Sequence, residues 1–237
     1  MAQERSLPPS ERSVTEAPQR PVLAETAEPP GSLWSRMKAD PQYAPEHLAL
    51  EAVRRLGPEA AEWTRLTRAD HPELTPDQLA DLAIKRFTTL ARISGAAAGA
   101  TGLPGAVLDV GVLAWNQARM VLHVAAAYDH DPTAPERATD LLVLQRVHKA
   151  AQTARLALGV AAGRERASRL LGEATARPLS GAMVRLGVKL AGMAGVQSAK
   201  KIFAKMIPGA AVVLGTWANS AATKNLAVRT RELYRRD

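Results

Sequence analysis

The side chains best suited to chemistry in this chain sit where polar groups are least expected. Gly95 to Tyr128 reads GAAAGATGLPGAVLDVGVLAWNQARMVLHVAAAY, small or apolar almost throughout. It breaks at Thr101-Gly102-Leu103-Pro104-Gly105, and then Asp109, Asn116, Arg119 and His123 interrupt the apolar run. A helix turning about 100° per residue places these four within about 80° of one another, as one stripe. Asp109 and Arg119 are separated by about 15 Å along the axis and cannot pair directly. Each needs a partner on another helix, because a buried polar group left unpaired is costly. Gln145 and His148, three residues apart further along, are the expected partners.

Three chemistries fit such a stripe. It can be an inter-helix hydrogen-bond network that fixes register. It can grip a polar head group or an ion. Or Asp109, His123 and His148 can form a base set for a hydrolase. No HExxH, GxSxG, GxxxxGK[ST] or GxGxxG motif occurs, so neither a metal, nor a nucleotide, nor any other cofactor is expected. The chain has no cysteine. Disulfides, iron–sulfur clusters and thiol nucleophiles are therefore excluded.

The elements that must hold the stripe read as helices. Of 237 residues, 46% are hydrophobic but only nine are aromatic, and no alternating run marks a strand. Residues 1–31 hold six prolines with Glu, Ser, Thr and Gln, the composition of a disordered tail. The remainder, 32–237, is expected to be a single all-α domain with Gly/Ala-rich helical hairpins. Pro45-Glu46 opens a helix over 46–56, which Gly57-Pro58 stops. Pro58 then starts a second, 58–69. Thr75 is the expected N-cap of the next, whose apolar set is Leu79, Leu82, Ala83, Phe87, Leu90 and Ile93. Gly102, Leu103, Pro104 and Gly105 form a hairpin turn, and Pro104 restarts the helix to about Tyr128. Further helices are expected over 134–158, stopped by Gly159, then near 163–175, over 178–205, and from Pro208-Gly209 to about Arg235. The pattern Leu103-Pro104-Gly105-Ala106 recurs as Ile207-Pro208-Gly209-Ala210, a weak internal echo that makes Pro208 and Gly209 a second hairpin turn.

Neither apolar stretch, 93–118 or 202–222, reads as a membrane span. In the first, seven strong apolar residues contribute roughly −3.5 kcal/mol, while a central Asp costs about +3, and Pro104 breaks the helix. The net charge of +8 is uneven. Residues 177–237 hold eleven Lys and Arg against two acids, while 1–31 hold three Arg against five Glu. Lys200, Lys201 and Lys205 precede one apolar helix, and Arg229, Arg231, Arg235 and Arg236 follow it. Such a basic surface faces either water or anionic lipid. No nucleic-acid reading module accompanies it, and no nucleic-acid partner is expected. The N-terminus lacks a basic segment followed by an apolar run, so the expected location is cytoplasmic, peripheral on the inner face of the cell membrane.

Three stretches in combination resemble the EcsC family of bacterial proteins. They are Arg92-Ile93-Ser94-Gly95 through Gly105, Trp115 through Tyr128, and Ile207-Pro208-Gly209 with Trp217-Ala218-Asn219-Ser220. The resemblance spans about residues 33–236. It implies no catalytic residues, because the family has no established biochemical function. The family takes its name from a protein encoded beside an ABC transporter, which implies a transporter or other protein as a partner. The leading expectation is a non-enzymatic, membrane-peripheral or lipid-binding helical protein. The alternatives are the hydrolase above and a soluble scaffold that docks another protein.

Overall fold

The computed structural model describes residues 29–97, 102–171 and 210–236, with side chains described over 29–91, 110–166 and 221–236. Among these residues there are seven α-helices and no strand. They are α1 (Gly31–Ala39), α2 (Ala44–Asp70), α3 (Pro76–Ala97), α4 (Gly102–Ala127), α5 (Glu136–Leu144), α6 (Ala151–Leu171) and α7 (Ala210–Tyr234). Residues 1–28 of the expected tail (1–31) and the helix expected over 178–205 lie outside the described residues, as do Lys200, Lys201, Lys205, Pro208 and Gly209, while Gly31 already begins α1.

α2 is one helix of 27 residues with Pro58 inside it, not two helices parted at Gly57-Pro58. Proline removes one backbone donor and costs about 3 kcal/mol in a helix interior. Burial outweighs this, because the apolar stripe keeps its register through the proline. Leu48, Ala52, Leu56 and Ala60 are all fully buried at steps of four. Gly57 has its own role here. A Cβ at that position would meet the Pro132 carbonyl oxygen at 2.6 Å and the Thr133 Cα at 3.1 Å.

α3 begins as expected, on a reciprocal capping box. The Gln78 N–H donates to Thr75 Oγ1 (3.3 Å) and the Thr75 N–H donates to Gln78 Oε1 (2.9 Å). Leu79, Ala80, Ala83 and Phe87 form its buried face, whereas Leu82 is 43% exposed. Leu82 lies one turn-third off that face, so helical spacing alone assigned it wrongly to the core. Four residues separate α3 from α4 and the two helices pack together, the arrangement of a helical hairpin. Gly102, Leu103, Pro104 and Gly105, expected as the hairpin turn itself, instead form the first turn of α4, where a missing N–H costs nothing.

The single helix expected over 134–158 is divided. α5 ends at Leu144, and α6 starts at Ala151 and runs through Gly159. The break is a Schellman cap without glycine. Arg146 takes φ 59°, the Val147 N–H donates to the Leu142 carbonyl (2.9 Å), and the Arg146 N–H donates to the Val143 carbonyl (2.9 Å). α4 ends the same way. Asp129 takes φ 66°, the His130 N–H donates to the Ala125 carbonyl (3.0 Å), and the Asp129 N–H donates to the Ala126 carbonyl (3.1 Å).

α4 is the central element, packed against α2, α3, α5 and α7. α1 and α6 lie on α2, and α6 also contacts α5. Among the described residues, no helix is long and apolar enough to cross a membrane.

Gly57→Ala tests how closely α2 approaches the 132–133 backbone. Alanine favours a helix interior by about 1 kcal/mol over glycine, but its Cβ would press on main-chain atoms that no rotamer change can move. A net loss of about 1–2 kcal/mol is expected in urea denaturation. A variant more stable than the wild type would show that the contact yields.

Candidate functional site

The polar stripe of α4 meets α2 and α3 rather than the chain after α5. Arg119, 3% exposed, donates from Nη2 to Glu59 Oε1 on α2 at 2.5 Å. Its guanidinium also lies 5.9 Å from the centre of the Phe87 ring on α3. His123 is completely buried, with ring centres 5.2 Å from Trp63 and 4.8 Å from Phe87. Its Nδ1 lies 2.8 Å from the Arg119 carbonyl. A carbonyl only accepts, so Nδ1 carries the proton. Nε2 is buried with no hydrogen-bond partner. Burial holds the imidazole pKa down at about 4, outweighing the upward pulls of the Arg119 carbonyl and Glu59, while Arg86 and Arg119 add to the depression. This histidine is therefore a neutral ring in an aromatic slot. Asn116 is buried beside it on the same stripe. The backbone of Asp109 belongs to α4, and its side chain lies outside the described residues.

Gln145 and His148 pair with neither Arg119 nor His123. Gln145 Nε2 donates to the Ala114 carbonyl of α4 at 3.3 Å. His148 Nε2 sits 2.7 Å from Glu46 Oε1, at the start of α2. Trp63, which flanks His123, lies 17 residues further along the same helix, about 25 Å along its axis. His123 and His148 thus occupy opposite ends of α2 and share no site. Among the described residues, no group of three His, Asp or Glu is placed to hold a metal ion.

The sequence reading missed Gln117, which is buried and donates to Thr223 Oγ1 on α7 at 3.4 Å. It also missed Glu51, which is 3% exposed and surrounded by Arg36 (2.7 Å), Arg54 (2.6 Å) and Arg55 (2.5 Å). Burial alone would raise that carboxyl, but the bonds from Arg54 and Arg55 and the charge of Arg36 bring it below its ordinary value. The spacing of Glu51 to Arg54 and Arg55 was visible as i,i+3 and i,i+4. Arg36 has no local signature.

The C-terminal arginines are largely committed within the fold. Arg229 donates twice to the Leu144 carbonyl at the end of α5 (3.2 and 3.0 Å). Arg231 pairs with Asp81 and Arg235 with Asp77 (3.2 Å). Arg236 is exposed. These pairs border an open groove of about 680 Å³ between α3 and α7, lined by Asp81, Ile84, Lys224, Val228, Arg231 and Arg235. Two of its cations, Arg231 and Arg235, are already paired to aspartates, while Lys224 and Arg236 are exposed at its edge.

The family model described as the EcsC protein family matches residues 74–236, from the loop before α3 to the end of α7. This chain belongs to the EcsC protein family. No curated protein and no solved structure matches it. The family match starts after α2, so Glu59, Trp63 and Glu46, which meet Arg119, His123 and His148, are supplied from outside the matched segment.

His123 predicts a pH profile. Its folded pKa of about 4 lies below the unfolded value of about 6.5. Between those values the unfolded chain takes up a proton that the folded protein refuses. Stability should be complete above about pH 7, fall by about 3 kcal/mol as pH drops to about 4, and change no further below that on account of this group. In chemical denaturation across this range, His123→Phe should flatten that part of the slope. An unchanged slope would rule out His123 as its source.

Proposed function

We propose that this EcsC-family protein is a non-enzymatic, membrane-peripheral protein that binds anionic lipid surfaces on the inner face of the cell membrane. The observation that carries this reading is how charge and apolar residues are distributed along the sequence. Within 221–236, Arg229, Arg231 and Arg235 are held by Leu144, Asp81 and Asp77. In sequence, residues 177–205 carry six Lys and Arg and no acid among small and apolar residues. A basic and apolar composition of this kind suits the interface of an anionic bilayer, where each cation contributes about 1 kcal/mol. The lack of a membrane-crossing helix among the described residues fits attachment from one side. A hydrolase built on His123 is disfavoured by its complete burial and by its separation from His148.

Sedimentation with vesicles tests the reading. The full chain should pellet with phosphatidylcholine vesicles that contain phosphatidylglycerol, and not with phosphatidylcholine alone. Binding should weaken as salt shortens the screening length from about 10 Å at 0.1 M to about 3 Å at 1 M. Replacing Lys200, Lys201 and Lys205 together by Gln should weaken binding about a hundredfold. If the protein fails to pellet at low salt, lipid binding is wrong. A single protein partner recovered in detergent would then favour the scaffold.

A further inference from the structure

α6 buries one apolar face and exposes another. Ala154, Leu158 and Ala161 face the core, whereas Leu156 is 73% exposed and Val160 44%. Leu156, Val160 and Gly163 fall within about 60° of one another around the helix, with Gly159 beside them. A Cβ added at Gly159 or Gly163 would meet no described atom within 4 Å.

The charges around this ridge are of one sign. Arg155 and Arg166 border one flank and Arg164 the other, and all three are exposed. Arg146 and Lys149 are exposed at the N-terminal end. Glu165 is the one acid between 146 and 166. It points inward to Arg36 on α1 (3.3 Å), and its side chain is 17% exposed. Arg164 reaches Asp40 (3.0 Å) and lies 4.8 Å from the centre of the Tyr43 ring. The inner side of α6 is thus pinned to α1 and the turn after it, while its outer side is fixed in orientation and, among the described residues, uncovered.

We propose that the outer face of α6 is the surface that lies on anionic lipid, with Leu156 and Val160 in the acyl boundary and Arg155 and Arg166 at the phosphates. This rests on the lipid-binding reading above and assigns it a face. Charge selects the occupant. A second copy would set the same arginines against one another. Nucleic acid would satisfy the cations but leave Leu156 and Val160 in water. A bilayer of anionic lipid matches both the ridge and the rim.

The absence of cysteine allows a clean test with the full chain. Leu156→Cys is labelled with a polarity-sensitive fluorophore, and Glu73→Cys, exposed in the loop before α3, serves as control. On vesicles containing phosphatidylglycerol, the label at 156 should brighten and shift to the blue while that at 73 stays unchanged. Arg155→Gln with Arg166→Gln should weaken binding about 30-fold without changing the melting temperature. If wild-type protein pellets but the label at 156 is silent and the double variant binds normally, this face is wrong and the lipid-binding reading stands. If wild-type protein does not pellet, both fall. A response at 156 to lipid-free polyglutamate, absent with vesicles, would reassign the face to an acidic protein and overturn the lipid assignment.

Discussion

α4 cannot be solvated on any side, and the rest of the molecule is arranged to meet that requirement. Leu113, Trp115, Met120, Val121, Leu122 and Val124 are at most 2% exposed, and Asn116, Arg119 and His123, which fill the remaining sector of the helix, are buried too. A helix buried on every side must be enclosed, and α2, α3, α5 and α7 enclose it. Enclosure carries Arg119 and His123 inside as well. A buried guanidinium without a counter-charge would cost several kcal/mol, so the position of Glu59 on α2 fixes how α4 is rotated against that helix. The Trp63–His123–Phe87 stack fixes the same rotation with rings. The stripe is thus a registration device for the central helix.

Helix ends supply a second set of constraints, and they change what the positive charge means. The last carbonyls of a helix carry partial negative charge and attract cations. Arg68 donates to the Ala127 carbonyl at the end of α4 (2.9 Å) and to Asp129 (2.5 Å). Arg229 does the same for α5 at Leu144. With Arg231 and Arg235 paired to α3, much of the basic C-terminal helix serves to attach α7 to its neighbours. Among the described residues, Arg155 and Arg166 on α6 and Lys224 and Arg236 on the C-terminal side remain exposed.

These features differ in how far they could be read from the chain. Helical class, the α3 cap at Thr75-Gln78 and the α3–α4 hairpin follow from local patterns, and were legible. The α5–α6 break was not, because Arg146 takes a left-handed conformation that normally announces itself with glycine. Pro58 misled for the opposite reason, since a local helix breaker was overridden by burial on both sides of it. The partners of Arg119 and His123 were sought on the next element in sequence and came instead from α2, about 60 residues earlier. No local pattern encodes a pairing of that range. The stripe was therefore visible as a stripe, and its partners were not.

Hydrophobicity read along the chain is a poor guide to which helix leaves apolar side chains outside. The most apolar helix, α4, is the most sheltered, because its own neighbours satisfy it. α6 is less apolar, yet it is the helix that leaves Leu156 and Val160 outside. Full burial of such side chains is worth about 1.5–3 kcal/mol each, and each neighbouring cation adds about 1 kcal/mol at an anionic surface. The total is of the order that holds a protein on a membrane reversibly, far below what a spanning helix gains. The fold thus keeps its most hydrophobic helix in its own core and leaves apolar side chains exposed on a weaker, cation-rimmed one, the arrangement on which the proposed lipid contact rests.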